Sequence, residues 1–186
     1  MLNIRMKYAQ TRSRKLQEQI LSAAHSLLLS QGFESTTVAD IAKKAGVSKA
    51  SVFAHFGDKS NLLIAVGIEG IRALNRKNAD TVLEFYTPWF EFLVNYPDFS
   101  RLFLDQSSLT HGPWSERFID SCRAQEEAVV ALIERQTPHK DAAFLARGAQ
   151  AFFYQAVIYR NAGWIKSNKD ALKTLDSQLQ NWIGAC

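Results

Sequence analysis

Between Thr11 and Asn78 the apolar residues recur at intervals of three and four, and three glycines, Gly32, Gly46 and Gly57, cut that pattern into four pieces. Such spacing lays an apolar stripe along one side of a helix; a half-buried strand needs strict alternation, and no stretch of the chain sustains it. The four prolines, at 88, 97, 113 and 138, all lie beyond residue 87 and divide the remainder into further helical lengths. The expected fold is all-α. At 186 residues with 47% hydrophobic and 22% charged side chains, the chain can bury a core and is too apolar to remain disordered.

The first four helices can be drawn from their ends. Helix one is expected from about Thr11 or Ser13, with Leu16, Ile20, Ala24, Leu27 and Leu28 inward and Gly32 as its left-handed stop. Thr37 and Asp40 have the spacing of a capping box for helix two, which buries Val38, Ile41, Ala42 and Ala45 and stops at Gly46. Ser48 caps helix three as far as Phe56, Gly57 ends it, and Asp58 caps a long helix four to about Asn78. Five more helices are expected at about 80–96, 97–108, 113–136, 141–162 and 168–183. The domain expectation is 1–60 for an N-terminal three-helix unit and 61–186 for a C-terminal helical bundle.

Helices two and three, joined only by Ala45-Gly46-Val47-Ser48, have the shape of a helix-turn-helix. Val52 and Phe56 hold helix three to the core, which leaves Ala50 and Ala54 on the opposite side, flanked by Ser51 and Phe53. Small side chains let a helix sink into a major groove. Charge agrees: up to Ser60 there are nine basic and four acidic residues, while the remainder carries 13 basic and 14 acidic ones. Arg5, Lys7, Arg12, Arg14 and Lys15 fit either a flexible arm that reaches DNA or a solvated charge run.

The run Ile20-Leu21-Ser22-Ala23-Ala24, Gly32-Phe33, Thr37 to Ala42, Ala45 to Lys49, and His55-Phe56 through Lys59 to Leu62-Leu63 resembles the DNA-binding domain of the tetracycline-repressor (TetR) family over about residues 12–65. The resemblance implies that Thr37, Ser48, Lys49, Ala50, Ser51 and Phe53 face DNA. His55 and Lys59 match backbone-phosphate ligands of that family, although a histidine beside a buried phenylalanine also serves as a packing or capping residue. Where the family usually has tyrosine this chain has Phe53, which keeps an apolar ring and loses a phenolic hydroxyl.

Beyond residue 78 the resemblance is one of length and helical content. The stripe Leu172, Leu175, Leu179 and Trp182, with Phe152 on the preceding helix, suits a four-helix interface in a homodimer, which the family resemblance also implies. Two helix-turn-helix units related by a twofold axis would read a palindromic operator with half-sites ~34–36 Å apart. The aromatic series Trp89, Phe103, Trp114 and Phe118, with His111 and Tyr154, fits two descriptions: plain core, or a cavity for a small apolar or aromatic effector, with Gln155 and Asn161 as further polar groups. Helix four, ~30 Å long at ~1.5 Å per residue, would join reader to effector site as a lever.

No enzyme motif is found: the four histidines lie on separate segments without metal-ligand spacing, and there is no glycine-rich phosphate loop or nucleophile motif. Neither a cofactor nor a metal is expected. Cys122 and Cys186 are too far apart for a paired-thiol motif, no leader peptide or membrane-spanning run is expected, and the expected location is the cytoplasm, with DNA, a second copy of the chain and a small effector as partners. The competing reading is a helical carrier of small molecules or lipids without a DNA function.

Overall fold

The computed structural model describes residues 2–75, 78–105, 112–137 and 141–185, the side chains of 2–10 and 185 excepted. Nine helices and no strand are present among the described residues: α1 (Leu2–Ser35), α2 (Val38–Ala45), α3 (Lys49–Phe56), α4 (Lys59–Asn75), α5 (Val82–Asn95), α6 (Pro97–Leu104), α7 (Pro113–Gln136), α8 (Ala142–Asn161) and α9 (Asn168–Ala185). They form two compact units, Met1–Gly67 and Ile68–Cys186, whose boundary falls inside α4.

In the first unit each turn is fixed by local chemistry. Gly32 adopts φ 78°, a left-handed value that breaks α1 and lets the chain fold back at Phe33. The Thr37 hydroxyl accepts the Asp40 amide at 3.1 Å while the Asp40 carboxylate accepts the Thr37 amide at 3.2 Å, a complete capping box. Gly46, at φ 67° and ψ 33°, turns the chain toward α3, whose first turn is capped by Ser48. The Asp58 carboxylate accepts the Asn61 amide at 2.7 Å and starts α4. Ile20, Ala24 and Leu28 of α1, Ile41 of α2, Val52 and Phe56 of α3 and Leu62 of α4 are buried.

One expectation about this unit changes. The basic N-terminus is not a flexible arm: α1 is helical from Leu2, so Arg12, Arg14 and Lys15 ride an exposed helical surface, and Arg14 pairs with Glu18 at 3.5 Å. The Arg5 and Lys7 side chains lie outside the described residues. α4 is described as far as Asn75, and the 17 residues from Lys59 span about 26 Å at ~1.5 Å per residue.

In the second unit α7, α8 and α9 pack on α5 and α6. Thr81 and Asp141 cap α5 and α8, and Pro97 and Pro113 open α6 and α7, where a missing N–H leaves no bond unmade. Tyr86, Trp89 and Phe90 of α5, Phe118 and Val129 of α7, and Leu145, Phe153 and Val157 of α8 are buried. At the α8–α9 crossing the Trp182 indole donates to the Leu145 carbonyl at 3.0 Å, and its ring lies where a side chain on residue 148 would stand. That position therefore needs glycine. Among the described residues no helix is long and apolar enough to cross a membrane, and no cluster of His, Cys, Asp or Glu could hold a metal ion.

Candidate functional site

The solvent face of α3 carries Lys49, Ala50, Phe53 and Ala54, all exposed, with Ser48 exposed at its start. Phe53 is 50% exposed, a large apolar ring beside two alanines. This is a shallow, slightly sticky ridge only eight residues long, fixed at its N-terminus by Ser48, whose hydroxyl accepts the Ser51 amide at 3.1 Å. Ser51 is less free than its place beside Ala50 implies. It is half-buried, and its hydroxyl lies 2.9 Å from that of Ser48.

Thr37 is exposed at the start of α2, and its hydroxyl also donates to Asp40 at 2.6 Å. Those hydrogen bonds, side chain first and backbone second, hold the Asp40 carboxyl below the usual carboxylate range, with Lys43 and Lys49 adding attraction. Lys43, Lys44 and Lys49 thus set three positive charges around the turn between α2 and α3. His55 is half-buried, its ring 6.3 Å from that of Phe56.

Lys59 turns inward, against the expectation of a phosphate ligand. Its ammonium donates to the Phe33 carbonyl at 2.8 Å and lies 4.0 Å from the centre of the Phe33 ring. Both contacts close the turn after Gly32, so this lysine fastens the start of α4 to the end of α1.

Of the expected effector residues, the structure joins three. The Trp89 ring lies 5.3 Å from Phe103, and Phe103 meets Tyr154 edge-on at 5.6 Å. Phe118 is buried on α7; Trp114, one turn earlier, is half-buried with the Arg117 guanidinium 5.1 Å from its ring. Arg117 lines an open groove of about 360 Å³ together with Arg72, Asn75 and Asp120. His111 lies outside the described residues. Gln155 and Asn161 are used elsewhere: Gln155 accepts from Gln178 of α9 at 2.8 Å, and Asn161 donates to Ser100 of α6 at 3.0 Å.

Sequence spacing gives no site role to Tyr86, Phe153, Cys122 or Gln125. Tyr86 stacks on Phe153 with ring centres 4.4 Å apart. Burial raises the Tyr86 and Tyr154 hydroxyls far above their usual range and pushes the Cys122 thiol up to about 12, so all three stay neutral. Gln125 is fully buried on the inward stripe of α7, between Cys122 and Val129, and neither end of its amide meets a hydrogen-bond partner among the described residues. The Trp89 indole N–H is likewise buried without one. Groups left so ordinarily destabilise by about 1–3 kcal/mol each. A glutamine inside an apolar stripe was the available signal.

The expected dimer residues divide. Leu175 and Leu179 are buried within the single chain, as is Ala171, because the apolar stripe of α9 is covered by α8 and α5. They are core, which corrects their assignment to an intersubunit face. Phe152, Leu172 and Trp182 are half-buried, and the outer side of α8 adds Phe144 at 48% and Ile158 at 46% exposure. Phe144 and Phe152 both touch the Trp182 ring, at 5.2 and 6.0 Å, so an aromatic band runs across the outside of α8 and α9.

Comparison with known proteins agrees with this geometry. The family model described as "Bacterial regulatory proteins, tetR family" matches residues 20–66, the stretch that holds the α2–α3 turn. The chain is 35% identical over 71 residues to the HTH-type transcriptional regulator YvkB of Bacillus subtilis, covering 38% of this chain and 35% of that protein. It is 28% identical over 120 residues to the HTH-type transcriptional repressor AcnR of Corynebacterium glutamicum, covering 63% and 64%. In each case the chain spans less than two thirds of the relative's length. A TetR transcriptional regulator from a Rhodococcus species shares the fold with a TM-score of 0.70 over 92% of this chain and 98% of that one, at 15% identity. FadR of Bacillus subtilis, solved in complex with stearoyl-CoA, gives 0.59 over 91% and 98%, also at 15% identity. Over residues 20–66, the domain centred on Gly46 and α3, the chain matches the TetR family of bacterial regulatory proteins.

Proposed function

We propose that the protein is a transcriptional regulator that acts in the cytoplasm, binding a palindromic DNA site as a homodimer through α3 and repressing until a small effector releases it. The observation that carries this is the α3 face: Lys49, Ala50, Phe53 and Ala54 stand exposed together, with two alanines where bulk would prevent close approach and a half-exposed ring that water does not favour. Lys43, Lys44 and Lys49 supply the positive field that a phosphate backbone attracts. The aromatic band over α8 and α9 is the surface we assign to the second copy, and the core around Trp89, Phe103 and Tyr154 the place we assign to the effector. A protein that only carried small molecules would have no use for the α3 ridge.

The test is selection from fragmented genomic DNA by the purified protein, followed by sequencing of what stays bound. The expected result is one palindrome with half-sites about one helical turn apart, bound less tightly as salt rises. Lys49→Ala should change which bases are preferred, at about 1–3 kcal/mol for each lost base contact. A bound pool without a shared sequence, or a base preference unmoved by Lys49→Ala, would count against α3 as the reader.

A further inference from the structure

Among the described residues the second unit holds four buried polar atoms without a partner, and the three on Gln125 and Trp89 belong to fully buried residues of its core. Gln125 offers a donor, Nε2, and an acceptor, Oε1, side by side, and both are sealed from solvent without a partner among the described residues. The Trp89 indole offers a donor only. A chain of neighbours links them: Trp89 packs on Phe103 and Phe103 on Tyr154, the Tyr154 hydroxyl is near the Cys122 thiol, and Gln125 follows Cys122 by one turn of α7.

The same region is poor in positive charge. Among the described residues no lysine, arginine or histidine is buried. The charge that both Tyr86 and Tyr154 feel is the carboxylate of Glu126, which repels an anion. A carboxylate or phosphate brought here would lose its water and meet like charge, whereas an uncharged ring would bury its faces against Tyr86, Phe103 and Phe153.

Resting on the reading of this core as the effector site, we infer that the effector is an uncharged planar molecule with an amide or lactam edge, whose N–H and C=O pair with the two ends of Gln125. The Gln125 Nε2 donates to the ligand carbonyl and Oε1 accepts the ligand N–H, an arrangement that a glutamine side chain makes in register. Trp89 supplies a donor to a further acceptor on the ring system. The edge pairing separates this ligand from a fatty acyl thioester, which has no N–H at its carbonyl.

Three bicyclic probes of one size test this on the full chain by calorimetry: carbostyril (a lactam), naphthoate (an acid) and naphthalene (neither). Carbostyril should bind at least about tenfold more tightly than the other two, the effect of one well-made neutral hydrogen bond in a dry site. Gln125→Met, which keeps the length of the side chain and removes the amide, should abolish that preference, leave naphthalene binding in place, and raise the melting temperature of the free protein. Trp89→Phe keeps the ring and loses the donor, and should lower the affinity of quinazolin-4-one, a lactam with a further ring-nitrogen acceptor, while leaving that of carbostyril, which has none, unchanged. Equal binding of all three probes, or a lactam preference that survives Gln125→Met, overturns the amide pairing while leaving an apolar effector site standing. Binding of none overturns both. A melting temperature that falls in Gln125→Met assigns the glutamine to structure and also overturns the inference.

Discussion

Lys59 is held twice by one turn, through the Phe33 carbonyl and the Phe33 ring. A charge-assisted hydrogen bond contributes about 1.5–3 kcal/mol. Lys59→Met should therefore lower the stability of the first unit by about that amount, measured by urea unfolding, and weaken DNA binding only as far as the fold is lost. An unchanged unfolding midpoint with a reduced salt slope of DNA binding would return Lys59 to the phosphates. Residue spacing could not have shown this. It placed a cation at the start of helix four but carries no information on a carbonyl 26 positions upstream, and a lysine stem can point either way. Gly148 shows the same limit: in the sequence it is a glycine inside a helix, in the fold it is the seat of the Trp182 indole. Gly148→Ala should cost about 1–3 kcal/mol by overpacking, read as a drop in melting temperature.

Among elements, α2 depends on a box that titrates. Asp40 has a folded value below its unfolded one, so its contribution is whole above about pH 4 and lost as pH falls through the folded value. Unfolding midpoints at pH 7 and at about pH 3 should thus differ for the native chain by more than for Asp40→Asn, whose amide does not titrate. Equal differences would mean that the cap contributes nothing. Thr37→Ala, which removes the hydroxyl that both gives and takes in the box, should cost about 0.5–2 kcal/mol at pH 7. These short elements were legible because their signals are local: Thr37 with Asp40, Ser48, Asp58 and the left-handed Gly46 lie within four residues of the groups they satisfy. The start of α1 was not, since nothing between Met1 and Gln10 has the pattern of a cap, and a basic run reads the same in a helix as in a tail. Nor was the partner of α9. A period of three and four reveals that Leu175 and Leu179 share a face, and is silent on whether that face meets its own chain or another.

For the whole molecule the distinction decides the outcome of mutation. Replacing the buried pair Leu175 and Leu179 with glutamate should unfold the second unit, because unpaired carboxylates in an apolar core cost several kcal/mol. Replacing exposed Phe144 and Ile158 with glutamate should instead leave the helices intact and yield monomers by light scattering, which would also lose the palindrome. A dimer that persists after the second change would place the interface elsewhere. Residues of Lys59–Asn75 fall in both units. If they are coupled by the 1–3 kcal/mol usual for such systems, operator DNA should weaken effector binding by the same factor, ~5–150-fold, by which effector weakens the hold on DNA. The division at residue 67 also has an optical consequence. All four tryptophans, Trp89, Trp114, Trp164 and Trp182, lie on one side of it, from the deeply buried Trp89 to Trp164 at 70% exposure, while the unit that bears α3 has none. Indole emission is therefore a native reporter of the second unit alone, and melting of the reading helices passes dark beneath it, visible only as helicity lost without a change of colour.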